Sequence, residues 1–344
     1  MPEISVLIPV YNRAAYIVAA VRSVLDQVDA PDFEVLIVDD GSTDDSLARV
    51  AALGDSRIRV LEAATNGGIA SARNRGIAAA RGRYVAFLDS DDVARPHRLA
   101  AQFAFLEARP DHAAVGAWIG WIDDDGKRLS RVKRKPRTYR MIAAERLFRS
   151  GIENSTAMAR CGILRAYPHD ETLVVGSDYD LWARVARDHP VASLPELLVD
   201  RRAHDKQATA ENVARDRYFR CQIFAWQLDA LGIDYSAADL NGHYRLRRLK
   251  KAGDRPDGAY LDWAADWLAR LRAANRTRRV YPEPEFSGLL ALFWAAACWY
   301  AEPGAAGLAR LAGHPLARAL PRGALQGWLH RAPLASRMAA RLGR

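Results

Sequence analysis

Short apolar runs alternate with helical patterns from residue 4 to residue 88, and this alternation constrains the fold more than any other feature. The apolar runs, which predict strands, span residues 4–10, 33–38, 57–61 and 83–88, and the first and the last predict buried strands. The helical patterns lie at residues 14–27, 46–53 and 68–80. Four strand–helix units in this order predict an α/β fold, with a mostly parallel sheet flanked by helices on both faces.

Beyond residue 110 the pattern changes. Residues 113–122 and 128–132 flank an acidic Gly-containing segment and predict a hairpin. Residues 139–149 and 178–188 carry helical patterns, and residues 195–201 predict an edge strand with a proline at its start.

Helical patterns dominate from residue 209 onward, so we predict an α/β domain over residues 1–210 and a mainly helical region over residues 211–344. Residues 1–210 carry 29 basic and 29 acidic side chains, so the whole net charge of +9 lies in the helical region. Such an excess indicates an anionic partner, namely nucleic acid, anionic lipid or a phosphorylated substrate, or else a solubilising surface.

The chain offers little sign of export or of a membrane span. Its three cysteines, Cys161, Cys221 and Cys298, are odd in number and widely separated, which favours a reducing compartment over a disulfide framework. No signal-peptide pattern is seen at residue 1, and no apolar stretch reaches about 18 residues. We therefore expect a cytoplasmic protein. Residues 286–301 predict a buried core helix or an interfacial segment, and the arginine-rich residues 303–344 suit contact with the inner face of the cell membrane.

Acidic side chains follow two of the predicted strands. Asp89 and Asp91 come directly after the fourth strand, and Asp39 ends the second. Ligands of parallel sheets bind at the carboxyl ends of the strands. Mg²⁺ and Mn²⁺ prefer oxygen ligands, so one carboxylate of the Asp89–Asp91 pair could bind a divalent cation while the other holds a hydroxyl or water. Asp39 could accept a hydrogen bond from a base or ribose. The alternative for all three is a helix cap or an acidic turn.

Four segments together carry a family resemblance. They read VLIPVYNR at residues 6–13, VDDGSTD at 38–44, NGGIASARNRG at 66–76 and AFLDSDD at 86–92. In order and spacing the chain resembles the family 2 glycosyltransferases over roughly residues 3–210. The resemblance implies the GT-A fold, which is Rossmann-like, a nucleotide-sugar donor and a divalent cation, Mn²⁺ or Mg²⁺.

The resemblance also implies roles for particular residues. Pro9, Tyr11 and Asp39 would line the nucleobase pocket. Asn66 and Gly67 would shape the loop beside the nucleotide, unless they form an ordinary turn. Arg73 and Asp89 would lie near the donor's ribose or phosphates, and Asp91 would bind the metal ion.

Two later segments complete the expected site. GSDYDLW at residues 176–182 resembles the family segment EDYDLW, with Ser177 in place of the usual Glu, so the resemblance makes Asp178 the catalytic base. Capping of a helix by Asp178 is the alternative. The second segment is RRAH at residues 201–204, where the resemblance places His204 near the metal ion or the donor phosphates. Arg201 and Arg202 could neutralise the charge of a diphosphate.

The resemblance implies an inverting transferase that moves one sugar from a nucleotide-diphosphate sugar to an acceptor hydroxyl. A UDP-sugar is the first expectation, with thymidine and guanosine donors open. The Gln-x-x-Arg-Trp motif of processive members is missing, which favours single addition to a saccharide or lipid-linked acceptor, in bacterial surface polysaccharide or glycolipid assembly. A nucleotidyltransferase and a non-catalytic sugar-nucleotide-binding protein are the alternatives. Nucleic-acid binding is not expected, because no such motif occurs and the N-terminal part is neutral.

Overall fold

The computed structural model describes residues 1–203, 213–250, 256–302 and 304–320. The chain divides into two units, the first made of residues 1–139 and 150–211 and the second of residues 140–149 and 212–344. The division after residue 211 falls beside the expected boundary, but residues 140–149 join the second unit. In that unit the ring of Phe148 packs on Phe293, with their centroids 4.3 Å apart.

A twisted mixed sheet organises the first unit. Its strands are β1 (Ile4–Val10), β2 (Phe33–Asp39), β3 (Ile58–Leu61), β4 (Tyr84–Phe87), β5 (Val93–Ala94), β6 (Ala114–Ile122), β7 (Arg128–Lys133), β8 (Met158–Arg160) and β9 (Val191–Arg202). Their order is β3-β2-β1-β4-β8-β6-β9-β5, with β7 beside β6. The first four strands are parallel, as predicted. Every residue of β1 and β2 is buried, which explains their nearly continuous apolar sequences.

The helices of the chain are α1 (Ile17–Leu25), α2 (Ser46–Ala51), α3 (Ile69–Ala79), α4 (Arg98–Glu107), α5 (Tyr139–Glu145), α6 (Cys161–Ala166), α7 (Ser177–Asp188), α8 (Val213–Leu231), α9 (Ala237–Leu246), α10 (Gly258–Arg278), α11 (Glu285–Ala301) and α12 (Ala305–Gly313). The first three follow β1, β2 and β3 and complete the predicted strand–helix units. The α/β interpretation with a helical C-terminal region is confirmed.

The prediction of an edge strand over residues 195–201 is wrong, both in the length of the strand and in its position in the sheet. β9 runs for 12 residues and lies between β6 and the two-residue β5. Pro195 sits in its interior, where the pairing with β6 shifts: Leu194 opposes Ala117, and the next paired residue on β9 is Leu197. A bulge removes the need for a ladder hydrogen bond from Pro195, which has no N–H group.

Helix packing forms the core of the second unit. Trp267 of α10 and Trp294 of α11 are fully buried, together with most of the apolar residues of α11. Residues 286–301 thus form a core helix rather than an interfacial segment. Among the described helices, none combines the length and the apolar character that a membrane span requires. Residues 321–344, where further arginines lie, are outside the described residues.

A buried histidine gives the second unit a predicted pH dependence. Nε2 of His243 lies 3.1 Å from the carbonyl oxygen of Leu147, and Nδ1 accepts a hydrogen bond from Trp267 Nε1 at 3.1 Å. The neutral ring satisfies both contacts, and burial lowers the pKa of His243 to about 4. Between this value and the ordinary value near 6.5 the unfolded chain binds a proton that the folded chain does not. Stability should therefore fall as the pH falls through this window.

We expect a lower free energy of unfolding at pH 4.5 than at pH 7 in denaturant titrations, by at most about 3 kcal/mol from this group. The variant His243→Gln should lose that part of the pH dependence. The exposed His97→Gln should keep it. An unchanged pH profile in His243→Gln would contradict the assignment.

Candidate active site

Asp39 ends β2, and its two carboxylate oxygens differ in their surroundings. Its Oδ2 accepts hydrogen bonds from the backbone N–H groups of Gly41 and Ser42, both at 3.0 Å. The side chain is buried, and among the described residues nothing donates a hydrogen bond to Oδ1. A buried oxygen without a donor is costly, so this atom is suited to a ligand that carries an N–H or O–H group.

The other residues predicted for the nucleobase lie beside Asp39. In the parallel pairing of β1 and β2, Val10 is opposite Asp39, so buried Pro9 and the following Tyr11 lie at the same strand ends. The side chain of Tyr11 is 44% exposed. Asn12 turns the chain here with a φ of +52° and accepts a hydrogen bond from Thr43 N at 2.8 Å. The structure brings the three predicted residues together; their contact with a base stays a prediction.

Asp40 fixes the loop that contains Asn66 and Gly67. Its Oδ1 accepts a hydrogen bond from Gly67 N at 3.1 Å, and its Oδ2 accepts one from Gly68 N at 2.8 Å. Arg75 donates to the same carboxylate at 3.1 Å. Asn66 and Gly67 therefore lie in an anchored loop next to the end of β2. The anchoring residue Asp40 was not singled out as a site residue, although it stands beside Asp39 in the motif.

Arg73 and Asp89 form an ion pair beyond the end of β4. Nη2 of the buried Arg73 donates to Asp89 Oδ1 at 3.1 Å, and the Asp89 side chain is 25% exposed. Burial raises the pKa of Asp89, and the Arg73 cation opposes this effect. The carboxylates of Asp91 and Asp178 raise the pKa further. These predicted residues share one electrostatic environment.

Asp92 holds the turn after β4 in place, a role that the sequence did not reveal. Its Oδ2 accepts a hydrogen bond from Ser155 Oγ at 2.6 Å, and that hydroxyl accepts one from Asp89 N at 3.1 Å. Burial, reinforced by the Asp89 carboxylate, raises the pKa of Asp92 to about 8. Ser155 lies in sequence 66 residues from Asp89, so only the tertiary fold shows this contact.

Asp91 fits a divalent cation only in part. The Nε atom of Arg13 lies 4.0 Å from Asp91 Oδ2. Within the described ranges, no group of three or more His, Cys, Asp or Glu side chains could hold a metal ion. The predicted ligand His204 lies outside the described residues. A Mg²⁺ or Mn²⁺ ion at Asp91 would need phosphate or water oxygens as its other ligands, and binding of the ion by Asp91 stays a prediction.

Asp178 lies in the first turn of α7 and is half-buried. The N-cap of this helix is Gly176, with a φ of +86°, so the alternative of Asp178 as the cap is wrong. Asp178 Oδ1 accepts a hydrogen bond from Tyr179 N at 2.8 Å. Asp180, by contrast, pairs with Arg184 at 2.6 Å in the same helix. The charge of Asp178 acts on both Asp89 and Arg201, so Asp178 lies near these two predicted site residues.

The two arginines at the end of β9 differ in their surroundings. Arg202 is buried and donates to the carbonyl oxygens of Asp91, Asp123 and Asp124 at 3.1, 3.1 and 2.7 Å. These contacts tie the Asp91 turn to the β6–β7 hairpin, so we assign Arg202 a positioning role. The Arg201 side chain is 27% exposed, which leaves it the better candidate for a diphosphate.

The carboxylate of Glu153, which was not predicted as part of the site and is 12% exposed, holds Arg201. Arg201 Nη1 lies 3.6 Å from Glu153 Oε2, and Lys133 Nζ lies 2.8 Å from Oε1. Lys135 also pairs with this carboxylate. Burial alone would raise the pKa of Glu153, but the three cations keep it well below its usual range. Glu153 therefore stays ionised and orients Arg201.

Residues 5–173, which contain β1 to β4 and their acidic ends, match the family Glycosyl transferase family 2. These residues form a glycosyl transferase family 2 domain. The resemblance seen in the four sequence segments is thereby confirmed.

Relatives of known sequence include an uncharacterized glycosyltransferase of Haemophilus influenzae, 25% identical over 68% of this chain and 76% of its own length. Another, from Methanocaldococcus jannaschii, is 28% identical over 63% of this chain and 77% of its own length. Both are named as glycosyltransferases, and neither name gives a substrate.

Two solved structures share the fold. Residues 1–349 of S. aureus TarS, in complex with UDP-GlcNAc, give a TM-score of 0.55 at 19% identity, covering 86% of this chain and 87% of that one. The Pyrobaculum calidifontis mannosyltransferase PcManGT, in complex with GDP-Man and Mn²⁺, gives 0.53 at 18% identity, covering 96% and 88%. At these identities the comparison shows the fold, which is GT-A.

Proposed function

We propose that the chain is an inverting glycosyltransferase that moves one sugar from a nucleotide-diphosphate sugar to an acceptor hydroxyl. The observation that carries the proposal is the buried Oδ1 of Asp39, which is without a donor among the described residues and lies beside exposed Tyr11. Uracil, thymine and guanine each present a ring N–H that could fill this position. TarS binds UDP-GlcNAc and PcManGT binds GDP-Man on the same fold, which supports a donor of this class.

The diphosphate would lie next to the turn after β4. Arg201 would neutralise charge on the leaving diphosphate, because a guanidinium matches phosphate oxygens in its geometry. The ion pair of Arg73 with Asp89 would shape the ribose end of the site. A Mg²⁺ or Mn²⁺ ion bound at Asp91 would supply further charge neutralisation for the diphosphate.

Asp178 would be the base. It would accept the proton of the acceptor hydroxyl while the acceptor oxygen bonds to the anomeric carbon. The bond from that carbon to the diphosphate oxygen breaks, and the nucleoside diphosphate leaves with the electron pair. A single displacement from the opposite face inverts the anomeric configuration. We propose a saccharide or lipid-linked acceptor, in assembly of a bacterial surface polysaccharide or glycolipid.

The products separate this proposal from its alternatives. The transferase should release UDP from a UDP-sugar, or the corresponding diphosphate from a thymidine or guanosine donor. A nucleotidyltransferase supplied with pyrophosphate should instead form UTP and a sugar 1-phosphate, and a non-catalytic binder should form neither.

Chromatography of the nucleotides after incubation with a panel of donors, Mn²⁺ and pyrophosphate distinguishes these outcomes. Water can take the place of the acceptor hydroxyl, so we expect slow release of the diphosphate even when no acceptor is supplied. Formation of UTP would contradict the proposal. So would a donor that binds but is neither hydrolysed nor transferred when a mixture of saccharide and lipid-linked acceptors is supplied.

A further inference from the structure

A cavity of about 910 Å³ lies within the second unit. Its walls come from α5, α10, α11 and the turn at Pro315–Ala319. This volume falls in the range of pockets that hold small organic molecules. The glycosyltransferase site uses none of its residues.

Three arginines, Arg272, Arg276 and Arg318, form what we call the basic cluster of the cavity. Arg272 and Arg276 are one helical turn apart on α10, so their side chains lie on the same face. Arg272 Nε donates to Ser287 Oγ at 3.3 Å. Within the part of the chain that the structure describes, Arg276 and Arg318 make no ion pair and no side-chain hydrogen bond.

Two carboxylates also line the cavity, but other groups already bind them. Asn275 Nδ2 donates to Glu283 Oε1 at 2.9 Å, and Ser287 N donates to Glu283 Oε2 at 3.1 Å. Arg140 holds both oxygens of Glu285, at 2.8 and 2.9 Å. The basic cluster therefore keeps an excess of positive charge.

Part of the lining is apolar. Met141, Leu289 and Leu292, which we call the apolar wall, contribute this part. A small inorganic anion would satisfy the arginines but leave the apolar wall in water. A ligand with both a phosphate and a hydrocarbon chain would contact both the basic cluster and the apolar wall, and each buried methylene group adds to the affinity.

We propose that this cavity binds a phosphorylated lipid, with the phosphate on the basic cluster and the start of the hydrocarbon chain on the apolar wall. Forked N–H groups of arginine match phosphate oxygens, and guanidinium groups stay charged over the whole physiological pH range. The proposal does not depend on glycosyl transfer, because the binding itself is measured. A second unit loaded in this way would hold the chain at a leaflet that contains such a lipid.

Calorimetry with the full chain tests the proposal with three probes: dioctanoyl phosphatidic acid below its micelle concentration, dioctanoylglycerol, and inorganic phosphate. We expect measurable binding of phosphatidic acid and much weaker binding of the other two. The double variant R276A/R318A should lose about 10- to 100-fold in affinity, the range for charge-assisted hydrogen bonds. Arg278→Ala, an exposed arginine of the same helix that does not line the cavity, should bind like the parent.

Leu292→Ala should weaken the binding of phosphatidic acid and leave the weak binding of inorganic phosphate unchanged. Phosphate that binds as tightly as the lipid would overturn the proposal and indicate a simple anion site. Absence of lipid binding, or equal binding by the double variant and the parent, would overturn it too. Because the variants alter exposed or half-exposed residues, circular dichroism should show parent-like folding in each.

Discussion

Asp178→Asn should lower kcat by about 10²- to 10⁴-fold, the contribution of a general base, while leaving the affinity for the donor nucleotide unchanged. The amide cannot accept the acceptor's proton. It can still accept the hydrogen bond from Tyr179 N through its oxygen, so the first turn of α7 should keep its geometry. The measurement is the release of nucleoside diphosphate, together with calorimetric binding of the same nucleotide.

Asp188→Asn is the matched control for this variant. Asp188 ends the same helix and pairs with Arg187 rather than with any residue of the site. Its substitution should change neither turnover nor binding. Unchanged turnover in Asp178→Asn would remove Asp178 from the role of base. Loss of binding and turnover together would mean that Asp178 holds the donor instead.

Asp39→Asn should weaken the binding of the donor nucleotide by about 1–3 kcal/mol, or roughly 5- to 150-fold. The backbone N–H groups of Gly41 and Ser42 need an acceptor, so the amide oxygen of Asn must face them. Its NH₂ group then occupies the position of the present Oδ1. The hydrogen-bond acceptor at this position is thus replaced by a donor. Because the base also presents a donor there, its ring N–H, the two groups repel each other.

The same argument predicts a change of base preference in Asp39→Asn. Cytosine presents an acceptor nitrogen where uracil presents N–H. The affinity of this variant for CDP should therefore rise relative to its affinity for UDP. Asp45→Asn serves as the control, because Asp45 is exposed at the start of α2 and makes no side-chain cap hydrogen bond. Parallel titrations of UDP and CDP measure both effects. A variant that binds UDP like the parent would contradict the placement of the base at Asp39.

Local sequence predicted the parts of the fold that depend on neighbours in the chain. The four apolar runs became β1 to β4. Strands β1, β2 and β4 are buried along their whole length, and a strand buried on both faces must be apolar throughout. β3, which lies at the end of the sheet, is only partly buried. Parallel strands place their carboxyl ends at one edge of the sheet, which explains why Asp39 and Asp89 lie at that edge. Element patterns were sufficient for this inference.

Contacts between distant segments could not be predicted in this way. β8 has only three residues, too few to carry a period, yet it separates β4 from β6. Arg98 is fully buried and donates to Phe87 O at 2.6 Å, although arginine is usually found at the surface. Arg202 has a strand-end position that suits phosphate binding, but backbone carbonyls bind its guanidinium. Such assignments need the tertiary neighbours.

Calorimetric titration of the full chain with UDP, TDP and GDP, each with and without Mn²⁺, tests the central claim most directly. The account predicts that one of the three nucleotides binds, and that Mn²⁺ tightens its binding, because Asp91 alone cannot hold the ion without phosphate or water ligands. A folded sample that binds none of the three, with or without Mn²⁺, would contradict the donor site at Asp39 and Asp91 and with it the proposed transferase.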